Sequence, residues 1–230
     1  MVKLSNGRIA RASLVLSILV AIAMIAASSA KAQLDLGWLF GRRGPSYALD
    51  DIARRGQDTS ICQPEIMVPY RGTALRYSGT VRVHPAFLER LPELERVAIE
   101  VATEIYGRAP HRLIHAGAYN CRSVRGNRGR LSEHALGNAL DVRGFEFRAL
   151  PRRTRAPEGL PRALRRGFTV SLERHWEAES ETGAVHQRFL RTLIERLARE
   201  DVFRVIYGPA HPGHRNHFHF DMSPFRWIHV

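Results

Sequence analysis

Lysine is nearly missing from this 230-residue chain: Lys3 and Lys31 are its only two, although lysine and arginine together number 35. If the chain is cut after Ala32, every fixed positive charge left is an arginine, which excludes a lysine Schiff base or a lysine general base. Cysteine is as scarce, with only Cys62 and Cys121. That turns any zinc reading away from a structural site, which is normally closed by four ligands rich in cysteine. Long apolar runs are lacking too, apart from Leu14 to Ala27. Lys3, Arg8 and Arg11 precede that run, and Ala30-Lys31-Ala32 follows it with small residues placed for cleavage before Gln33. Residues 1–32 therefore read as a secretory signal peptide. The competing reading, an uncleaved anchor, has a run that is short for a bilayer, and no transmembrane span is expected in the mature chain.

Export fixes the chemistry of the cysteines. In an oxidising compartment the simplest outcome is one disulfide between Cys62 and Cys121, with two buried free thiols as the alternative. The formal net charge of +13 and the pI near 11.0 should draw the surface to anionic polymers or headgroups. For an exported chain the expected partner is peptidoglycan or another anionic envelope polymer, and not nucleic acid. The bland reading is that the charge only maintains solubility.

Residues 33–57 show no sustained period and read as a linker with one weak helix near Leu49 to Arg55. The rest, 58–230, is expected to be one domain. Cys62 to Val83 suggests two or three short strands, and Leu94, Val97, Ala98, Val101 and Ile105 predict a helix stopped by Gly107. Strands are expected at Leu113 to Tyr119, Leu140 to Phe145, Phe168 to Leu172, Val202 to Tyr207 and His217 to Met222. A second amphipathic helix is expected through Val185, Phe189, Leu193, Ile194 and Leu197. Ser123 to Arg130 and the arginine- and proline-rich Arg148 to Gly167 read as exposed loops. Strands outnumber helices without regular alternation, which predicts an α+β fold, a largely antiparallel sheet with helices packed on one face. No internal repeat is visible.

Two stretches carry chemistry. In Ser132-Glu-His-Ala-Leu-Gly-Asn-Ala-Leu-Asp-Val142, His134 and Asp141 lie seven apart with small residues between, and Ser132 can cap the turn that carries His134. Glu133 points differently from His134 and is expected to be solvated. In His211-Pro-Gly-His-Arg-Asn-His-Phe-His-Phe-Asp221, alternation puts His217, His219 and Asp221 on one strand face. The first stretch offers two metal ligands and the second a third with a neighbour beside it. Three nitrogen or oxygen ligands with one open position is the arrangement of a catalytic zinc. Asp221 could accept the free N–H of a ligand histidine, or pair with an arginine.

The pattern Ser132-x-His134-x-x-Gly137-x-Ala139-x-Asp141 followed by His217-x-His219 resembles the superfamily of zinc metallopeptidases that holds the D-alanyl-D-alanine carboxypeptidases and dipeptidases, the murein endopeptidases and Hedgehog. With Tyr119-Asn-Cys-Arg122, it is similar more narrowly to the bacterial extensin-like C-terminal domain family, over roughly Cys62 to Met222. The resemblance implies a Hedgehog- or DD-peptidase-like fold with Zn2+ on His134, Asp141 and His219. It implies that His217 donates to the oxyanion, and a weaker correspondence gives Arg122 a supporting role. Other branches carry a glutamate near this strand as general base. This chain has none there, and His214 or His217 is left as the candidate. The expectation is an exported, periplasmic zinc-dependent hydrolase of an amide bond in the peptidoglycan peptide. The alternatives are a non-catalytic zinc-containing envelope module that binds wall polymer, and a disulfide-stabilised domain with a vestigial site.

Overall fold

A computed structural model describes residues 62–230. The stretches expected to be a signal peptide (1–32) and a linker with one weak helix (33–57) lie outside the described residues. In chain order the strands are β1 (Val68–Tyr70), β2 (Arg76–Tyr77), β3 (Val81–Val83), β4 (Arg112–Gly117), β5 (Ser123–Val124), β6 (Asn127–Leu131), β7 (Ala139–Phe147), β8 (Phe168–Ser171), β9 (Val205–Tyr207), β10 (Phe218–Asp221) and β11 (Trp227–His229). The α-helices are α1 (Pro85–Leu88), α2 (Leu91–Tyr106), α3 (Leu172–His175) and α4 (Glu181–Arg199). The fold is α+β. Its main sheet runs β11-β9-β10-β7-β4-β2, with β8 pairing the far half of β7. Pairings along it are antiparallel except at the two ends, where β11 lies parallel to β9 and β2 to β4. No helix among the described residues is long and apolar enough to cross a membrane.

The two long helices arise from apolar spacing. In α2, Leu91, Leu94, Val97, Ala98, Val101 and Ala102 are buried along one stripe, and Gly107 ends the helix in the left-handed conformation that costs glycine little. In α4 the stripe is Phe189, Leu190, Leu193, Ile194 and Leu197, and the Ser180 hydroxyl caps the start by accepting from the Gly183 N–H. Both stripes join one core with Leu140, Val142, Phe145, Phe218 and Phe220. The helices therefore cover one face of the sheet, and the period-2 alternation sends the intervening residues of β7 and β10 to the other face.

Two expected loops are ordered differently. Ser123 to Arg130 falls largely within a short hairpin, β5 paired antiparallel with β6. Its wet arginines and glycines carry no apolar alternation that would mark strands. Arg148 to Gly167 contains a 3-10 turn at Arg162–Arg165 and is pinned down by buried Leu160 and Leu164. The Arg108 guanidinium also donates to the carbonyls of Leu164 and Arg166, at 2.7 and 3.0 Å.

Candidate metal centre

The register of β7 and β10 builds half of the site. His219 lies directly opposite Asp141 across the antiparallel pair, while Phe218 and Phe220 stand opposite Val142 and Leu140 and point into the core. A 3-10 turn, Glu133–Leu136, delivers His134. The Ser132 hydroxyl accepts from the His134 N–H, and Gly137 closes the turn with φ of 63°. A β-carbon at Gly137 would collide with the Met67 sulfur and come within 2.7 Å of the His84 amide nitrogen, so both conformation and space require glycine there.

His134, Asp141 and His219, from distant parts of the chain, meet around one point. Nε2 of His134 is 3.1 Å from Nδ1 of His219 and 3.2 Å from Oδ1 of Asp141, and His219 Nδ1 is 3.0 Å from that same oxygen. The outer ring nitrogens fix the tautomers. His134 Nδ1 donates to the Ala118 carbonyl, and His219 Nε2 donates at 2.8 Å to Oδ2 of Asp221, whose Oδ1 accepts from the Ser223 N–H. In the neutral rings, each nitrogen that faces inward is then a lone pair. Two imidazole lone pairs and a carboxylate oxygen crowded within 3.2 Å repel one another unless a cation or a proton lies among them.

The donor set fits a divalent metal. Bonds of about 2.0–2.1 Å at a tetrahedral angle separate neighbouring ligand atoms by about 3.3 Å, close to the observed spacings. All three residues are candidate ligands in the geometry, and Asp221 supports His219 as an outer partner. In the absence of metal, a proton takes its place on His219. Burial pulls that imidazole down, but hydrogen bonds to Asp141 and Asp221 outweigh it and hold the ring up to about 9. Burial pushes Asp141 up, yet hydrogen bonds from His134 and His219 win and keep its carboxyl far below the usual range.

His217 and His214 stand beside this centre. Nε2 of His217 is 3.7 Å from Oδ2 of Asp141, and its Nδ1 donates to the Asn216 side-chain oxygen at 2.8 Å. His214 Nδ1 donates to the Pro212 carbonyl at 3.0 Å, leaving Nε2 as an acceptor. Burial, followed by the charge of His219, lowers His214 to about 4, and burial also lowers His217 against the opposing pull of Asp141. Arg122 is exposed and donates to the Ser123 carbonyl. Cys62 and Cys121 form a disulfide, immediately before Arg122.

The three candidate ligands, His214, His217 and Arg122 line a cleft of about 580 Å³. Glu133 also lines it and is buried rather than solvated, its Oε2 accepting from the Asn138 amide at 2.7 Å. The turn folds that carboxylate back onto Asn138, five residues on, so side-chain direction along an extended chain did not predict its place. Tyr207, expected only as the end of a strand, also lines the cleft. Its ring stacks on His219 and on His211 at centroid distances of 5.5 and 3.8 Å, and only its position within the β9 strand pattern could have hinted at it.

Residues 49–154 match a family model described as extensin-like protein C-terminus. The match supports that family for this stretch, which holds His134 and Asp141 and ends before His214, His217 and His219. No curated protein and no solved structure matches the chain.

Proposed function

We propose that this chain is an exported zinc-dependent hydrolase of an amide bond in the peptidoglycan peptide. The observation that carries the reading is the convergence of His134 Nε2, Asp141 Oδ1 and His219 Nδ1, all acceptors, at the floor of an open cleft. Zinc bound there would polarise a carbonyl and acidify water. His134 and His219 are held in the tautomers that bind metal by Ala118 and Asp221, so little reorganisation is needed when metal arrives.

The proton work falls to the chain's own side chains. His214 is neutral at pH 7, and its Nδ1 is committed to the Pro212 carbonyl, so Nε2 is the atom that can accept a proton from a water attacking the amide carbonyl. The same nitrogen then returns that proton to the leaving amine as the C–N bond breaks, giving a carboxylic acid and an amine. His217, close to Asp141, is placed to donate to the developing oxyanion once it is protonated. The substrate class follows from the resemblance to cell-wall peptidases and from export. A non-catalytic zinc module that binds wall polymer is the second reading, favoured by one observation: the cleft's Glu133 carboxylate is occupied by Asn138 and not free to act as the base.

The test is release of soluble fragments from purified peptidoglycan, with metal content measured on the same protein. Wild type is expected to hold about one zinc per chain and to release fragments in a chelator-sensitive way. His134→Ala is expected to lose both. Release at the wild-type rate by His134→Ala would defeat the hydrolase, and stoichiometric zinc without any release would favour the binding module.

A further inference from the structure

The segment from Gly208 to His217, between β9 and β10, carries His214 and contains no strand or helix. No residue from Pro209 to His217 is buried, so packing into the core does not place it. Its backbone instead makes two turns in succession. The His211 N–H donates to the Gly208 carbonyl at 2.9 Å, and the His214 N–H donates to the His211 carbonyl at 3.1 Å. His211 is thus the residue at which one turn ends and the next begins. The first turn is tied to β11, because the Gly208 N–H donates to the His229 carbonyl at 2.9 Å.

The His211 side chain is held by two neighbours. Its ring lies on that of Tyr207, with centroids 3.8 Å apart and planes 7° from parallel, and its Nδ1 meets Nδ1 of His229 at 3.2 Å, one ring donating to the other. The Tyr207 ring is in turn 5.5 Å from that of His219 and 17° from parallel, so three near-parallel rings lead from the candidate ligand to the loop. His214 stands edge-on to all three, 5.2 Å from Tyr207, 4.9 Å from His211 and 5.6 Å from His219, at angles of 61, 63 and 68°. We propose that His211 is a positioning residue of the cleft: clamped by Tyr207 and His229, it holds the ring of His214 against Tyr207 and the candidate ligand His219. The consequence for catalysis rests on the hydrolase reading, in which His214 is the base; the placement itself does not.

The experiment follows nuclear Overhauser cross-peaks between the ring protons of His214 and Tyr207, with and without zinc, in the parent, His211→Ala and His211→Phe. The parent is expected to show them. His211→Ala is expected to lose them at unchanged zinc content, and to release peptidoglycan fragments about a hundredfold more slowly, as for a misplaced base. His211→Phe keeps a flat ring on Tyr207 and gives up the bond to His229; it is expected to retain the cross-peaks and to recover release to within about fivefold of the parent. Absence of the cross-peaks from the parent, their persistence at full strength in His211→Ala, or failure of His211→Phe to retain them would overturn the positioning role. Parental release by a His211→Ala protein that has lost the cross-peaks would leave the positioning intact and count against His214 as the base, so the two readings fail separately.

Discussion

Glu95 has no exposed surface, and every group that meets it donates. The Tyr70 hydroxyl bonds Oε1 at 2.6 Å, while the N–H groups of Ala74 and Leu75 and the Thr73 hydroxyl bond Oε2 at 2.7, 3.1 and 3.0 Å. One carboxylate on α2 thus satisfies the backbone of the turn leading into β2, at the edge of the sheet. Glu95→Ala would leave those buried donors unpaired and is expected to cost about 3 kcal/mol, read as a lower urea midpoint. Glu95→Gln should recover only part of the loss, because its amide turns a donor towards donors. An unchanged midpoint in the alanine variant would mean that water replaces the carboxylate. The helical spacing already set position 95 beside Leu91, Ala98 and Ala102 on the inward face. Its partners, about twenty residues upstream, were invisible to any periodic pattern.

The elements that carry the candidate ligands were the legible ones, for a physical reason. Alternation of period 2 in Leu140-Asp141-Val142 and Phe218-His219-Phe220 separates core from site whatever the neighbours do. The β5–β6 hairpin was read as a loop because both its faces meet water, so no alternation was imposed on Asn127 to Arg130, and Leu131 alone is buried. The burial of Glu133 likewise depends on how the His134 turn folds back on Asn138. The hairpin's position is set by bonds rather than by core packing, and this makes a prediction at the same scale. Closing the loop between Cys62 and Cys121, 59 residues apart, stabilises the fold by about 4 kcal/mol if the effect is chain entropy alone. Cys62→Ser/Cys121→Ser should lower the melting temperature. Because the Ser132 N–H still donates to the Arg122 carbonyl and the Asn120 N–H to that of His134, tying the hairpin to the turn, it should retain zinc, and metal lost in proportion to stability would show that the bridge itself holds His134 in place. Gly137→Ala, which strains the turn directly, should instead lower metal affinity at least tenfold with a smaller thermal shift.

Among the described residues, histidines with shifted pKa values respond to pH with opposite sign. Burial holds His84, His115, His175 and His186 below the ordinary imidazole value, His186 at about 4 where its ring meets the Tyr106 hydroxyl at 2.9 Å. The unfolded chain binds protons at these positions more readily, so their contribution is intact above pH 6.5 and is lost as pH falls from there towards 4. His219 runs the other way in metal-free protein. With its pKa held up to about 9 it stabilises the fold fully below pH 6.5, and that contribution fades as pH rises through 9. Metal-free protein should therefore be most stable near pH 6.5, with urea midpoints lower at both 4.5 and 9. Zinc requires His219 to be deprotonated at its inward nitrogen, so loading the protein should abolish the alkaline decline and leave the acidic one from buried His186 and the partly buried His84, His115 and His175, to which His211, His214 and His217 in the cleft add. Midpoints measured at the three pH values, with chelator and with stoichiometric zinc, check this directly. An alkaline decline of equal size in both samples would mean that the proton on His219 and the metal do not compete for one place, and would remove the electrostatic ground for treating His134, Asp141 and His219 as a single centre.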